Sequence, residues 1–362
     1  MSSLETPIIL SGEKHTSENL RTLRKKVRIW KTVDIFKDQL RELFQITHPN
    51  LQQHTHLYQK QCHDFLKRKL HSKKNDGFVG EWVYFPWSGQ LVHMLGKKEY
   101  TLLRTNRNQN LITKEEQKKL LAAPIGIAGL SIGSAIALNL AYSGISQIIK
   151  LAEHDTLETA NLNRVWARID QIGTSKLQIT TQQIYEINPS VNLHIYPEGL
   201  QKGTLSSFIG GKPKLRIIFD AIDDFEMKVL MRKEAKKQKV PVVMLTNLGD
   251  SILIDVERYD TDSKTKLFNG LVPQEFLEKI LSGKITEREK NQYAVQIVGT
   301  ENIPTKAIES VKQIGKTLVG RPQLMSTVTI ASGIASFIAR KIILGQPVAS
   351  GRMLIRFDDF LP

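Results

Sequence analysis

The sequence predicts an α/β fold: a mostly parallel sheet with helices on both faces, preceded by a mainly helical N-terminal region. Two observations predict it. From 119 to 260, short apolar runs alternate with stretches of helical periodicity, the pattern of successive strand–helix units. Most of these runs are apolar at consecutive positions, as strands covered on both faces are. Residues 1–118 lack the alternation and residues 261–362 are less regular. Three regions are therefore expected: an N-terminal extension (1–118), a sheet domain (119–260), and a C-terminal part (261–362) that completes that domain and offers a dimer or substrate surface.

The elements follow in order. Residues 17–44 read as a helix, with Leu23, Val27, Trp30, Val33, Ile35, Phe36, Leu40 and Phe44 broadly at helical spacing. A second amphipathic stretch covers 57–70. Gly77 and Gly80 break that pattern, and 82–87 (WVYFPW) reads as a strand ended by proline. In the sheet domain, strands are expected at 125–130, 147–152, 193–196, 215–221, 241–246 and 252–259. Helices are expected at 132–142, 176–187 and 225–237. Beyond 260, helices are expected at 273–281, 305–318 and 325–344, and a last strand at 353–357. The 325–344 helix carries small residues (Ala331, Ser332, Gly333, Ala335, Ser336) suited to close packing.

Composition bounds the function. The chain has 362 residues, 41% hydrophobic and 24% charged, enough for one large or two modest cores. Its 51 Lys and Arg against 36 Asp and Glu leave a formal net charge of +15. That balance favours acidic partners such as nucleotides, RNA or an anionic surface. A lysine-rich solvated surface gives the same number. Cys62 is the single cysteine, which excludes an intrachain disulfide and a CxxC zinc pair. The N-terminus has no basic stretch followed by an apolar core, and no run approaches the ~18 apolar residues of a membrane span. A cytoplasmic protein without membrane contact is expected.

Three places carry chemistry. Ala128-Gly129-Leu130-Ser131-Ile132-Gly133-Ser134 lies where a strand meets a helix, and small residues there let backbone N–H groups approach a phosphate. Glu153 follows Gly133 by 20 residues, the spacing of a ribose-binding acid in dinucleotide folds. A tight turn without a ligand would look similar, because Ala128 and Leu130 stand where the fingerprint has glycine. Next, the loop from Glu153 through Asp155 to Asn161 and Arg164 offers an amide and a guanidinium able to grip phosphates. Lys176 opens the following helix, where a lone lysine is as readily a solvated one. Third, the run 217–219 ends in Asp220, Asp223 and Asp224 over the expected ligand crevice. Asp223 suits Mg²⁺, which takes one or two carboxylates plus phosphate oxygens. Either Asp223 or Asp224 would also cap the helix that follows.

Together these elements resemble the ThiF/MoeB superfamily, the bacterial relatives of ubiquitin-activating enzymes, over roughly residues 100–260. That family carries a GxGGxGS turn, an acid, an N-x-x-R loop, a lysine and a D-N pair ending a strand. Here 128–134, Glu153, Asn161 to Arg164, Lys176 and Asp223-Asp224 stand in those places. Lys228 falls where the family usually has arginine. Residues 104–109 (RTNRNQ) are similar to the family's R-Y-x-R-Q segment, which supplies an arginine to the ATP site of the partner subunit. Ser175-Lys176, 187–189 (INP) and 239–242 (KVPV) also match. The GLSIGS turn, the LNRV loop and the extension ending in WVYFPW are similar to a ThiF-type group sometimes fused to a nitroreductase-like domain, a fusion not expected in 362 residues.

The resemblance implies a Rossmann-like fold and ATP-dependent adenylation of a carboxylate. It assigns Ala128, Gly129, Ser131, Gly133, Glu153, Asp155, Asn161 and Arg104 to the nucleotide. Arg164, Lys176, Asp223 and Arg107 are assigned to catalysis, with Asp223 holding Mg²⁺ and Arg107 reaching across a homodimer. The sulfur-relay cysteine and the zinc cysteines of the family have no counterpart, so no internal thioester and no structural zinc are expected. The turn has lost glycines, which implies tighter phosphate approach or lower affinity. A peptide or small-protein C-terminus, or a small molecule, is the first expectation for the substrate. A carboxylate on modified tRNA is the second. An NAD-dependent oxidoreductase would leave Arg164, Lys176 and Asp223 without a role, and a non-catalytic nucleotide-binding protein would fit the altered turn.

Overall fold

The computed structural model describes residues 4–71, 78–283, 286, 289, 298, 299 and 305–360. Met1 to Ser3 and Gly77, which entered the sequence reading, lie outside the described residues. The chain divides into two compact units, residues 1–114 with 185–190, and residues 115–184 with 191–362.

The first unit holds β1 (Ile8–Ser11), α1 (Ser17–Lys26), β2 (Lys31–Asp34), α2 (Phe36–Thr47), α3 (His56–Leu70), β3 (Glu81–Phe85), β4 (Gln90–Met94) and α4 (Lys97–Arg104). Its four strands lie in the order β1-β3-β4-β2, with only the β2–β4 pair parallel. The helix expected over 17–44 is therefore two helices with a strand between them. The chain leaves α1 at Val27, which is extended (φ −122°, ψ 151°). Val27, Ile29, Thr32 and Val33 are β-branched and lose rotamer freedom in a helix. Lys31–Asp34 instead pair with Gln90–His93. Asp34 Oδ1 then accepts the amide of Phe36 at 3.2 Å and starts α2. Within α2, Phe36, Gln39, Leu40, Leu43 and Phe44 are buried, one stripe of a 3.6-residue period. This stripe packs against Cys62 and Leu66 of α3 and against Leu95.

The second unit is the sheet domain. It holds α5 (Lys114–Ala122), β5 (Ile125–Ala128), α6 (Ile132–Tyr142), β6 (Ile148–Ala152), α7 (Lys176–Ile187), β7 (Asn192–Tyr196), α8 (Leu205–Gly210), β8 (Ile217–Asp220), α9 (Phe225–Gln238), β9 (Val242–Asn247), β10 (Ser251–Glu257), α10 (Gln274–Leu281), α11 (Thr305–Gln313), α12 (Met325–Ile343) and β11 (Gly351–Arg356). The boundary residues of α5 and α7 count with the first unit. Strand order is β11-β10-β9-β8-β5-β6-β7. The five strands β7, β6, β5, β8 and β9 are parallel. β10 runs antiparallel to both of its neighbours. A three-residue link from β9 to β10 is too short for the crossover a parallel pair needs.

Strand neighbours on the two faces alternate. Ala128, Ile218 and Val242 pack with Phe208 of α8 and Met231 and Ala235 of α9. Ile127 points the other way, against Gly133 of α6. On that face α12 packs on α6 and on β8, β9 and β10. Met325–Ile343 has the length and mean hydropathy (1.2) of a membrane span, the stretch of that kind among the described residues. Val328, Ala331, Ala335, Ile338, Ala339 and Ile342 of this helix are buried inside the unit, which accounts for its apolarity. Their small members allow close approach to α6.

The strand order reverses between β5 and β8. Successive strands run outward from β5 to β7, and the chain then returns to the other side of β5. In open α/β sheets the crevice outside the C-terminal strand ends at this point is where ligands bind.

Candidate functional site

The ends of β5 and β8 are tied together. Ala128 and Asp220 are partners in register, and the amide of Ala221 donates to the carbonyl of Ala128 at 2.8 Å. Gly129 follows with φ +86°, the left-handed region that favours glycine. A Cβ there would lie 2.3 Å from the carbonyl oxygen of Ala221 and 2.9 Å from the nitrogen of Ile222, so no side chain fits. Gly133, in the first turn of α6, leaves room for Ile127, whose Cγ2 would be 2.9 Å from a Cβ. The two glycines with steric work to do are present. Leu130 is buried, and its amide donates to Glu153 Oε2 at 2.7 Å. Ser131 precedes α6 and its carbonyl accepts the hydroxyl of Ser134 at 2.8 Å. The amides of Ile132 and Gly133 have no acceptor within the helix, as first-turn amides never do.

Glu153 is buried and faces inward. Besides Leu130, it accepts the amides of His154 (2.7 Å) and Asp155 (2.9 Å) on Oε1. It clamps the β5–α6 turn to the end of β6. Glu153, His154 and Asp155 bring ligand atoms within 4.8 Å of one another. Both Glu153 oxygens already accept backbone hydrogens, so this trio is a poor cation site. Asp155 is half exposed and accepts Lys176 Nζ at 3.0 Å, which makes Lys176 a paired lysine with only 10% of its side chain accessible. Asn161 is buried, and its Oδ1 accepts the amide of Glu158 at 3.1 Å, closing a 3-10 turn (Thr159–Asn161). Arg164 is half-buried. Its Nη1 donates to the carbonyl of Ala160 and to Asn163 Oδ1, each at 2.9 Å. Its Nε is buried and has no hydrogen-bond partner among the described residues.

At the end of β8 the two neighbouring acids divide their roles. Asp224 Oδ1 accepts the amide of Met227 at 2.8 Å and caps α9. Asp223 is exposed, leaving its carboxylate able to take a cation. Asp220, beneath them, is fully buried. Its Oδ1 accepts Lys228 Nζ at 2.9 Å and its Oδ2 accepts Arg232 Nη1 at 2.6 Å. Burial opposes its charge, yet Lys228 and Arg232 hold its carboxyl below the ordinary aspartate value. Arg232 continues to Glu257 Oε2 at 2.7 Å. Burial pushes the Glu257 carboxyl up, with Arg232 opposing.

In the second unit Ala128 ends β5, Gly129 and Ser131 lie in the turn after it, Gly133 and Lys176 lie in the first turns of α6 and α7, Glu153, Asp155, Asn161 and Arg164 follow β6, and Asp223 follows β8, so all of them stand at or after the C-terminal ends of three neighbouring strands. Arg104 and Arg107 belong to the first unit. Arg104 closes α4, where burial lowers its pKa, and Arg107 is exposed in a 3-10 turn (Asn106–Asn108). Arg232, Glu257 and Tyr259 were missed by sequence reasoning. The available signal was the i,i+4 spacing of Lys228 and Arg232 on the helix that Asp223 and Asp224 precede.

The model of the ThiF family matches residues 104–359 of this sequence. The chain belongs to the ThiF family. Among its relatives, an uncharacterized Mycobacterium tuberculosis (strain CDC 1551 / Oshkosh) protein, MT1398, is 33% identical over 274 residues. That match covers 76% of this chain and 37% of the relative, so the chain spans little more than a third of that protein's length. A molybdopterin-synthase adenylyltransferase of Haemophilus influenzae is 26% identical over 224 residues, 59% of this chain and 86% of the relative. The crystal structure of E. coli MccB with ATP superposes with a TM-score of 0.52 at 16% identity, covering 89% of this chain and 84% of that one. At that identity the likeness is one of fold, and it agrees with the Rossmann-like sheet. In this ThiF-family chain one departure from the glycine-rich turn is Ser131, and the other two are Ala128 and Leu130. Both side chains are fully buried, with Ala128 in the core beneath the strand ends.

Proposed function

We propose that the second unit binds ATP with Mg²⁺ and adenylates a substrate carboxylate. One carboxylate oxygen attacks the α-phosphorus, the bond to the bridging oxygen breaks, and pyrophosphate leaves. The observation that carries this reading is the cradle at the strand reversal: Gly129 with no room for a Cβ, followed by the open first-turn amides of α6. The unpartnered Nε of Arg164 fits a phosphate oxygen, since a buried donor without an acceptor is costly.

This chemistry needs position and charge neutralisation more than a covalent catalyst. The amides of Ile132 and Gly133 receive phosphate oxygens at the positive end of the helix. Arg164 and Lys176 offset the phosphate charge, and Asp223 holds the metal ion. Glu153 keeps the turn in shape and Asp155 keeps Lys176 in place. Arg107, with Arg104, serves the site of a second copy in a cytoplasmic homodimer. Cys62 takes no part. It is buried in the first unit, and burial pushes its thiol up, with Arg41 opposing. The acyl adenylate then passes to an amine, to water, to an internal amide or to a partner's thiol.

ATP–pyrophosphate exchange tests the reading. Exchange is expected to depend on an added carboxylate, screened first as peptide C-termini and small acids. Arg164→Ala is expected to lower it roughly 100-fold or more, the usual cost of removing a donor to developing charge. Exchange that requires RNA instead would favour the tRNA reading, for which the net charge of +15 is the supporting observation. Protein that binds neither ATP nor AMP at millimolar concentration would sink the proposal.

A further inference from the structure

The buried charges beneath the crevice exceed what the core requires. The side chains of Asp220, Arg232 and Glu257 are all 0% exposed. Taking such groups out of water is costly, and apolar residues of similar volume usually serve a core as well. The outer end of this network does not stop in the core. Asp220 is the last residue of β8, and its Oδ1 also accepts the amide of Ile222 at 3.3 Å. That amide opens the turn that carries Asp223. Ala221, between them, donates to Ala128, and its carbonyl occupies the space a Cβ of Gly129 would need. One carboxylate therefore sits at the junction of both walls of the crevice.

The inner end is held from several sides. Glu257 Oε1 accepts the amide of Phe268 at 2.7 Å and the hydroxyl of Tyr259. The ring of Phe268 lies against the guanidinium of Arg232, 4.0 Å from its carbon to the ring centroid. Phe268 (φ 51°) and Asn269 (φ 53°) are left-handed, a conformation that a bulky residue keeps only when its surroundings hold it there. Arg232 is gripped by a carboxylate, by an aromatic face and, through Nη1, by the carbonyl of Lys228 at 3.3 Å.

We propose that Arg232 is a positioning residue for the crevice: fixed by Glu257 and Phe268, its guanidinium orients Asp220 and, through it, the 221–224 turn. The link to nucleotide binding rests on the ATP reading above. Lysine cannot take this place, because one ammonium group does not span two carboxylates and stack on a ring at once.

Hydrogen exchange on the full chain tests the proposal, together with MgATP titration. Arg232→Lys is compared with Ile342→Ala, a core truncation at the C-terminal end of α12 that lowers overall stability without touching the network. Positioning predicts that Arg232→Lys speeds exchange of the 221–225 amides at least tenfold and weakens MgATP at least tenfold, while Ile342→Ala does neither. Wild-type exchange in that turn of folded Arg232→Lys would overturn the proposal. So would an equal rise in Ile342→Ala, which would mark a general loss of stability. If Arg232→Lys does not fold, Lys228→Met removes a different partner of Asp220 and is expected to move the same amides by a smaller factor. No change there would count against the proposal. A wild type that binds no ATP, beside a variant that loosens the turn, would defeat the ATP reading and support the positioning role.

Discussion

Gly129→Ala is the substitution that most directly questions the crevice. Two costs add. An L-residue held at φ +86° loses roughly 1–2 kcal/mol to the left-handed backbone. The new Cβ would also lie 2.3 Å from the oxygen and 2.5 Å from the carbon of Ala221, backbone atoms that cannot rotate away. Reaching ordinary contact at about 3.5 Å parts the ends of β5 and β8 by about 1 Å. Overpacking of this kind costs about 1–3 kcal/mol. The total is about 2–5 kcal/mol, or a melting point lower by roughly 5–15 °C for a domain of this size. Gly133→Ala is the control. Its Cβ would meet the Cγ2 branch of the buried Ile127 at 2.9 Å, a side-chain contact whose relief costs about 1–2 kcal/mol, less than moving backbone. Alanine in place of helical glycine returns about 1 kcal/mol, so the net change is expected within about 1 kcal/mol of zero. Thermal unfolding by circular dichroism gives the first readout and MgATP titration the second. Gly129→Ala should lose both stability and nucleotide. A Gly129→Ala protein that melts with the wild type and binds MgATP equally, or a Gly133→Ala protein that is the worse of the two, would refute this account of the turn.

Two further outcomes are expected. Asp224→Ala should cost about 1 kcal/mol as a lost helix cap and leave the Mg²⁺ dependence of ATP binding intact. Asp223→Asn should melt within about 0.5 kcal/mol of wild type and lose that dependence. The opposite pattern would reverse the division of roles between the two acids. Stability should also fall in acid through Asp220. Lys228 and Arg232 hold its folded pKa below the ordinary 3.8, despite burial. The stabilisation is therefore complete above pH 3.8 and is lost as pH drops through the lower folded value. Asp220→Asn, already less stable at pH 7, should show a shallower decline in melting temperature over that acid range. Parallel declines would show that Asp220 is not the group being titrated.

Much of the sheet domain was readable because its strands are buried on both faces. Runs such as 125–128 and 217–219 carry no polar residue and are short, as strands covered on both faces are. The region around 27–34 was misread for a physical reason. Leu23, Val27, Trp30 and Val33 fit a helical period, and what overrides it is pairing with β4, nearly sixty residues away. The antiparallel direction of β10 was within reach of the sequence, because the strands expected at 241–246 and 252–259 leave only five residues between them, too few for a crossover. At the site, Asp223 and Asp224 could be read as one ligand and one cap, and the structure assigns the cap to Asp224. The inward orientation of Glu153 could not be read, because it depends on the amide of Leu130 across the turn. Arg232 had only its i,i+4 spacing from Lys228 to mark it. A charged residue on a lysine-rich helix reads as solvated unless its partners on β8 and β10 are known.

The altered turn can now be judged by position. Glycine is needed where a Cβ has no room against backbone or where the backbone is left-handed, and in this turn both demands fall on Gly129, while Gly133 only sits close to the Ile127 side chain. Ala128 places its methyl group in the core with Ile218 and Val242. Leu130 buries its side chain, and its amide is engaged by Glu153 instead of facing a ligand. The turn therefore has fewer amides to offer an anion, and a stiffer shape, since Glu153 binds it through one oxygen and the β6 loop through the other. Affinity for a phosphate chain must then lean on charge: on Arg164, whose Nε has no partner among the described residues, and on Lys176, which Asp155 already holds in place. Charge-dominated binding weakens with ionic strength, whereas binding through fixed amides depends on it less. On this argument MgATP affinity should fall steeply between low and physiological salt in the wild type, and Arg164→Ala should both weaken binding and flatten that dependence. An Arg164→Ala protein with the wild-type salt dependence would mean that the turn's own amides still dominate.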